Sequence, residues 1–437
     1  MSDRRAYMRA LATGVLLGLP VAFAATLFLV LLQEATDVVW HDLPDAAGWD
    51  QVPWWYLLAV PTAAGAMVAA AMRLPGRGGH SSVGGLSIHP LLPGQLPGAL
   101  LAALASLVGG LVLGPEAPLI ALGLTFGLIA ARLIGAGEQE TKLLSLAGAF
   151  AALSSILGGP IVSSLLLFEM AAAGGLVAAN RLGPALLPGF VAAGTGALIF
   201  TGLGSWPGVG SSQLLLPGLP DYDTVRLVDI AWCIPVAAVA AAAVVTFARR
   251  GAQWMAARIG GRTTIFLLVG GLAVGAIALV FREVADRPEN LVLFSGQGAL
   301  PALAAETSAG VLAAVVVAKG LAYAVSLGAG FRGGPIFPAA ALGVALGALA
   351  GNVLPGLDLT PAVVAGLAAG SAAGMRMPFS GAVLAVIVAG SATVEAVPIA
   401  VLAAVTGWLV AMALDPPEPQ ATTGSAAGDS ATAGTAT

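Results

Sequence analysis

The chain has 437 residues, of which 58% are hydrophobic and only 9% charged, with a formal net charge of −4 at pH 7. Soluble domains carry roughly 25% charged residues, so lipid is the solvent that suits this composition. The scattered Lys and Arg form no basic patch for nucleic acid, and the one cysteine, Cys233, excludes an intramolecular disulfide or a cysteine metal site.

Arg4, Arg5 and Arg9 precede an apolar run at 11–32. That run is longer than a signal-peptide core of about 7–15 residues, so it reads as a first transmembrane helix. Apolar segments fall at 7–33, 55–73, 96–113, 115–134, 141–157, 160–175 and 184–203. A second series falls at 224–248, 262–282, 308–328, 335–352, 360–374, 378–391 and 396–414. Many are shorter than the roughly 20 residues a full crossing needs and are bounded by Gly or Pro, which predicts broken and re-entrant helices packed inside protein. The expected architecture is an all-α integral membrane protein with a first repeat at 1–205, a linker at 206–223, a second repeat at 224–414 and a disordered tail at 415–437.

Loop charges orient the chain. Arg4, Arg5 and Arg9, then Arg73 and Arg77, then Arg249, Arg250, Arg258 and Arg262 mark three cytoplasmic regions by the positive-inside rule. The 33–54 loop holds Glu34, Asp37, Asp42, Asp45 and Asp50 and no base, as an external loop would. The first series therefore starts inside and the second outside, which gives two halves of inverted topology.

One internal repeat is sharp. Gly114-Pro115-Glu116-Ala117-Pro118-Leu119-Ile120-Ala121-Leu122-Gly123 and Gly334-Pro335-Ile336-Phe337-Pro338-Ala339-Ala340-Ala341-Leu342-Gly343 both read G-P-x-x-P-x-x-A-L-G, 220 residues apart. Pro near a helix start sacrifices no hydrogen bond, and the Gly before it permits a sharp turn. Each motif thus sets a helix N-terminus, with free N–H groups and about half a positive charge, inside an apolar region. Two such ends meeting near the midplane make an anion site without a basic side chain. Glu116 lies on the first of them, where burying a lone carboxylate costs roughly 2.5–3.5 kcal/mol. Its negative side chain would occupy the anion site and compete with the permeant ion.

These residues resemble the CLC family of chloride channels and chloride–proton antiporters, and Gly330-Phe331-Arg332-Gly333-Gly334, leading into the second motif, resembles an atypical bacterial ion-channel branch of it. Gly114-Pro115-Glu116-Ala117-Pro118 resembles the family's G-(K/R)-E-G-P element, whose Glu is the external gate. Gly334-Pro335-Ile336-Phe337-Pro338 resembles its G-x-F-x-P element, whose amides bind the central chloride. The resemblance implies anion contacts at Gly114, Pro115, Ala117, Gly334, Ile336 and Phe337, although the prolines have no N–H to donate. It places an inner serine near Ser81 or Ser82 and, in addition to Glu116 itself, a proton-accepting carboxylate at Glu169. It also implies chloride or a similar small anion as cargo, protons as a coupled ion, a homodimer in the cell membrane, and no cofactor.

The family's late tyrosine is absent, since the last tyrosine is Tyr323, which favours channel-like transport. Fluoride export on the same fold is the alternative. Lys319 is expected to pair with an acid or to snorkel. His80 and His89 are too few for a metal site. An intramembrane enzyme is disfavoured because no G-x-S-x-G or H-E-x-x-H motif occurs.

Overall fold

The computed structural model describes residues 2–157, 159–173, 182–203, 215–390 and 395–416. The expected linker as far as residue 214, and the tail from residue 417, lie outside the described residues. Fourteen helices of twelve residues or more organise what is described. The first seven are α1 (Ser2–Asp37), α2 (Trp54–Ala71), α3 (Leu96–Val108), α4 (Glu116–Leu133), α5 (Glu138–Ser154), α6 (Pro160–Ala173) and α7 (Leu182–Leu203). The second seven are α8 (Leu227–Val244), α9 (Thr263–Ala285), α10 (Ala309–Gly328), α11 (Ile336–Val353), α12 (Leu359–Met375), α13 (Pro378–Ala389) and α14 (Val397–Leu414).

The two sets pack alike. Helix α4 lies on α5 as α11 lies on α12, and α1 touches α5 and α7 as α8 touches α12 and α14. Small residues permit the closest of these crossings. A Cβ on Gly123 would collide with the Gly148 carbonyl, and one on Gly343 with the Gly366 carbonyl. Across the halves, α2 packs along α9.

Among the described residues, eight helical stretches are long and apolar enough to cross a membrane; α3, α6, α12 and α13 are shorter apolar helices. Phe23, Leu27 and Leu31 of α1 and Ile265, Val269 and Leu272 of α9 are exposed, the arrangement expected where lipid is the neighbour. Cores of α12 are the opposite: every residue from Thr360 to Met375 is buried, so this helix is enclosed by protein.

One departure from the sequence reading is the 33–54 segment, expected as an open loop. Helix α1 instead runs to Asp37, then into a π turn at Val38–Asp42 and a last helical turn at Leu43–Ala46. Between Gln33 and Pro44 no Pro or Gly interrupts the chain, and the Gln33 side chain donates to both Asp37 carboxylate oxygens at 3.0 Å across one turn. The π turn aims Trp40 inward, where its indole N–H donates to the Val108 carbonyl at 2.7 Å. Its ring meets Phe294 edge-on with centroids 5.3 Å apart. The first helix of the second half also passes into a π turn, at Val245–Gly251.

Candidate functional site

The two G-P-x-x-P motifs meet. Gly114 and Gly334 form an antiparallel bridge: the Gly114 N–H donates to the Gly334 carbonyl at 2.8 Å, and the Gly334 N–H donates to the Gly114 carbonyl at 2.5 Å. A second reciprocal pair flanks this bridge. The Val112 N–H donates to Ser326 Oγ, and the Arg332 N–H donates to Ser106 Oγ, each at 3.0 Å. Ser106 and Ser326, like Val112 and Arg332, stand 220 residues apart in sequence. The chain reaches this crossing through Gly110 (φ 79°) and Gly330 (φ 98°), left-handed positions that glycine adopts without strain. An isolated extended segment inside a membrane protein needs partners for its polar backbone, and each half supplies them to the other.

From this crossing α4 and α11 start with their N-termini adjacent. Pro115 and Pro335 occupy the N-cap positions, where their missing N–H groups leave no intrahelical bond unmade. The Glu116 side chain is fully buried. Its Oε1 accepts the Phe337 N–H at 2.9 Å, across the interface between halves. Its carboxylate lies where a Cβ on Gly114 or Gly334 would project, so both positions require glycine while Glu116 is in place. Glu116 Oε2 is buried with no hydrogen-bond partner. The carboxylate is thus seated at two helix starts, with one oxygen bonded and one bare, and helix starts favour negative charge.

Two cavities reach residues that flank Glu116 in the chain. A vestibule of about 1360 Å³ is lined by Leu113, Pro115, Phe294 and Gly296 at depth. Its walls bring Glu34, Asp37, Asp50, Glu283, Asp286 and Glu289 together with Arg282 and Arg287. A second pocket, of about 40 Å³, is lined by Gly78, His80, Ser81, Ser82 and His89 and by Ala117, Pro118, Arg332 and Gly333. Pro115 faces one cavity and Ala117 the other, and Glu116 is the residue between.

The serines proposed for the inner side both line this second pocket. Ser82 Oγ donates to the Gly333 carbonyl at 2.6 Å, while Ser81 Oγ accepts only a long contact of 3.5 Å from the Val83 N–H. Burial, the neighbouring His89 and Arg332 together lower the His80 imidazole below its ordinary pKa.

Of the anion contacts implied by resemblance, Phe337 offers its amide to the Glu116 carboxylate, and the Gly114 and Gly334 amides are spent on each other. Glu169 lies elsewhere. From α6 it caps the N-terminus of α13, accepting the Phe379 N–H at 3.0 Å and the Ser380 N–H at 2.6 Å, as well as the Ser380 hydroxyl.

Lys319 needs a correction. It neither pairs with an acid nor snorkels: it is fully buried, and its Nζ donates to the carbonyls of Leu291, Val292, Leu293 and Phe294 at 3.0–3.4 Å. An irregular segment at membrane depth exposes carbonyls that no helix satisfies, and a lone ammonium with its donors answers several at once.

Sequence reasoning missed Ser106, Ser326, Tyr323 and the side chain of Arg332. The two serines were findable, since they keep the 220-residue spacing of the motifs. Tyr323, fully buried, donates its hydroxyl to the Pro335 carbonyl at 2.7 Å and so braces the second motif from behind.

Paired helix starts at a two-fold crossing, within an inverted repeat of membrane helices, define a multi-pass transport protein of the anion-carrying kind. The family model described as voltage gated chloride channel matches residues 86–412, and the chain belongs to this CLC family. It is 30% identical over 366 residues to the "Putative ion-transport protein YfeO" of Escherichia coli O1:K1, covering 78% of this chain and 81% of that one. The Escherichia fergusonii protein of the same name is 30% identical over 364 residues. Among solved structures, a slow cyanobacterial Cl−/H+ antiporter superposes with TM-score 0.73 at 19% identity, covering 93% of this chain and 95% of that one. A CLC-type fluoride/proton antiporter gives TM-score 0.63 at 17% identity with the same coverage. At these identities the superpositions speak for the fold.

Proposed function

We propose that this protein conducts chloride or a similar small anion across the cell membrane, channel-like, through a path blocked by Glu116. The observation that carries this reading is the Glu116 carboxylate on the Phe337 amide, between a vestibule on one side and a polar pocket on the other. An anion arriving from either cavity competes for the same helix-start amides. Protonation of Glu116, or rotation of its side chain away from Phe337, frees them. The positive-inside rule makes the vestibule external and the pocket holding Arg332 cytoplasmic, with the N-terminus inside. The repeat boundaries near residues 205 and 224 follow from the same inversion, and a homodimer with one path per subunit is the family's pattern.

Two features support the channel-like form over tight proton exchange. Glu169, the expected inner proton acceptor, has both oxygens committed to the start of α13. The Tyr323 hydroxyl is committed to the Pro335 carbonyl of the second motif.

The test is chloride efflux from liposomes containing the purified protein, with protons recorded in the same vessel. Chloride efflux without linked proton flux is expected. Proton movement driven against its gradient would replace the channel reading by antiport and return Glu169 to the proton route. Absence of chloride flux beside robust fluoride flux would reassign the cargo.

A further inference from the structure

The outer face of α9 is apolar from its first turn. Ile265, Val269 and Leu272 are exposed, and their spacing of four and three residues sets them on one face of the helix. Exposed Arg262 stands three residues before Ile265, at the head of this stripe. From Arg262 to Leu272 the helix rises about 15 Å, half of a hydrocarbon core of about 30 Å. The segment before α9 is organised toward the same level. Exposed Trp254 carries the Arg258 guanidinium over its ring, 3.5 Å from the centroid, and Arg258 Nη1 donates to the Trp254 carbonyl at 2.7 Å. A turn through Gly260 (φ 48°) and Gly261 (φ 80°) then leads from Arg258 to Arg262. Helix α2 ends beside them. A Cβ on Gly275 would meet the Leu57 carbonyl, one on Gly271 the Pro61 carbonyl, and one on Gly65 the Leu267 carbonyl. Continued by one turn, this antiparallel register sets the end of α2 level with the start of α9, and exposed Arg73 and Arg77 follow it. Among the described residues none of Arg73, Arg77, Arg258 and Arg262 makes an ion pair. No Asp or Glu occurs between Asp50 and Glu116 or between Asp229 and Glu283.

We propose that this end of the α2–α9 pair, cytoplasmic in the orientation given above, binds one anionic phospholipid. Arg258 and Arg262 donate to the headgroup phosphate, and an acyl chain lies along Ile265, Val269 and Leu272. The planar guanidinium fork matches phosphate oxygens, and the stack on Trp254 holds Arg258 in place before the lipid arrives. Indole rings favour the headgroup level of a bilayer, which is where Trp254 sets this arginine. Arg73 and Arg77 add positive charge with no acid to offset it, so a headgroup of net negative charge is preferred to a zwitterionic one. The ligand is a lipid and not a free phosphate ion, because an ion would leave the apolar stripe below the arginines uncovered. The site lies on the outer surface and is independent of the anion path at Glu116.

The experiment titrates phosphatidylglycerol or phosphatidylcholine into the purified full-length chain in neutral detergent and counts bound lipid by native mass spectrometry. Saturable binding of one phosphatidylglycerol per chain is expected, with phosphatidylcholine retained far less. R258Q and R262Q should each raise the half-saturating phosphatidylglycerol concentration about fivefold, as loss of one arginine at an anionic surface implies. R132Q, which removes an exposed arginine from the last turn of α4, controls for overall charge and should stay within about twofold of wild type. Arg258 and Arg262 are exposed, and the two variants test the site separately, so either one suffices if the other is not monodisperse. Equal half-saturation in wild type, R132Q, R258Q and R262Q overturns the site and leaves attraction by overall charge alone. Equal retention of the two lipids overturns it as well. Inorganic phosphate added at millimolar concentration should leave the bound phosphatidylglycerol in place; complete displacement would make the free ion the ligand and overturn the lipid assignment.

Discussion

Glu116 and Phe337 are 221 residues apart in the chain and 2.9 Å apart at the crossing, carboxylate oxygen to backbone amide. Each belongs to the first turn of its own helix, so the bond ties the starts of α4 and α11 together. In the proposed reading it also makes the anion site self-occupied: the group at the helix ends is covalently part of the protein, and transport would require its release.

From that bond follows the behaviour of E116Q. A neutral side chain loses its charge-assisted bond to the Phe337 N–H and no longer competes as an anion. Chloride flux at neutral pH is expected to rise about tenfold, equivalent to lowering the barrier by about 1.4 kcal/mol. Wild-type flux should increase as pH falls, because protonation removes the blocking charge, while E116Q should be flat with pH. Flux ratios between pH 5 and pH 8 in proteoliposomes measure both, and an E116Q protein that keeps the wild-type slope would remove Glu116 from the gate.

Glu169 separates a cap from a proton acceptor. Its two oxygens serve the Phe379 and Ser380 amides, so E169A leaves these first-turn donors of α13 without their partner. A loss of about 1–2 kcal/mol is expected, with E169Q intermediate because an amide oxygen still accepts but lacks the charge that suits a helix start. Thermal unfolding in detergent reads this loss, and chloride flux per folded molecule should remain within about twofold of wild type. A change confined to proton flux, with unfolding temperature unmoved, would favour the proton role.

Reciprocity around the crossing predicts a matched pair of variants. S106A strands the part-buried Arg332 N–H and S326A strands the buried Val112 N–H. Each should cost about 1–3 kcal/mol, and because the two environments are related by the internal two-fold, the costs should agree to within about 1 kcal/mol. Paired unfolding measurements compare them directly; a wide difference would mean that one half holds the crossing alone.

How much of this was legible beforehand differs from residue to residue, for physical reasons. The helix starts at Glu116 and Ile336 were visible because Gly-Pro pairs constrain the backbone locally. The 220-residue register extends further than the motif that revealed it, through Ser106 and Ser326, but serine in an apolar helix has no local signature. Its partner was fixed only when the halves met. Lys319 misled for a related reason. Charge suggests an acid as partner, whereas the carbonyls of residues 291–294 become available only through the irregular path of that segment. The continuation of α1 past residue 33 was hidden by acidic residues that read as loop, although on a helix they line the vestibule.

The rim of that vestibule contains a pH-dependent brace. Glu306 precedes α10; its Oε2 accepts from Arg287 Nε at 2.9 Å and its Oε1 accepts the Ser308 N–H at 2.8 Å. These partners hold the Glu306 carboxyl below its ordinary pKa, with the Arg287 hydrogen bond the largest favourable cause. A depressed folded-state value means that the unfolded chain binds the proton first as pH falls. The stabilisation is therefore complete above the unfolded carboxylate value of roughly 4.3 and fades as acid takes the pH down through the folded one. Arg287 is 41% exposed, so solvent screening keeps the contribution of the pair small. E306Q should lower the unfolding temperature at pH 7 and converge on wild type toward pH 3. An E306Q curve parallel to wild type across that range would show that the brace acts through packing of the side chain and carries no titrating contribution.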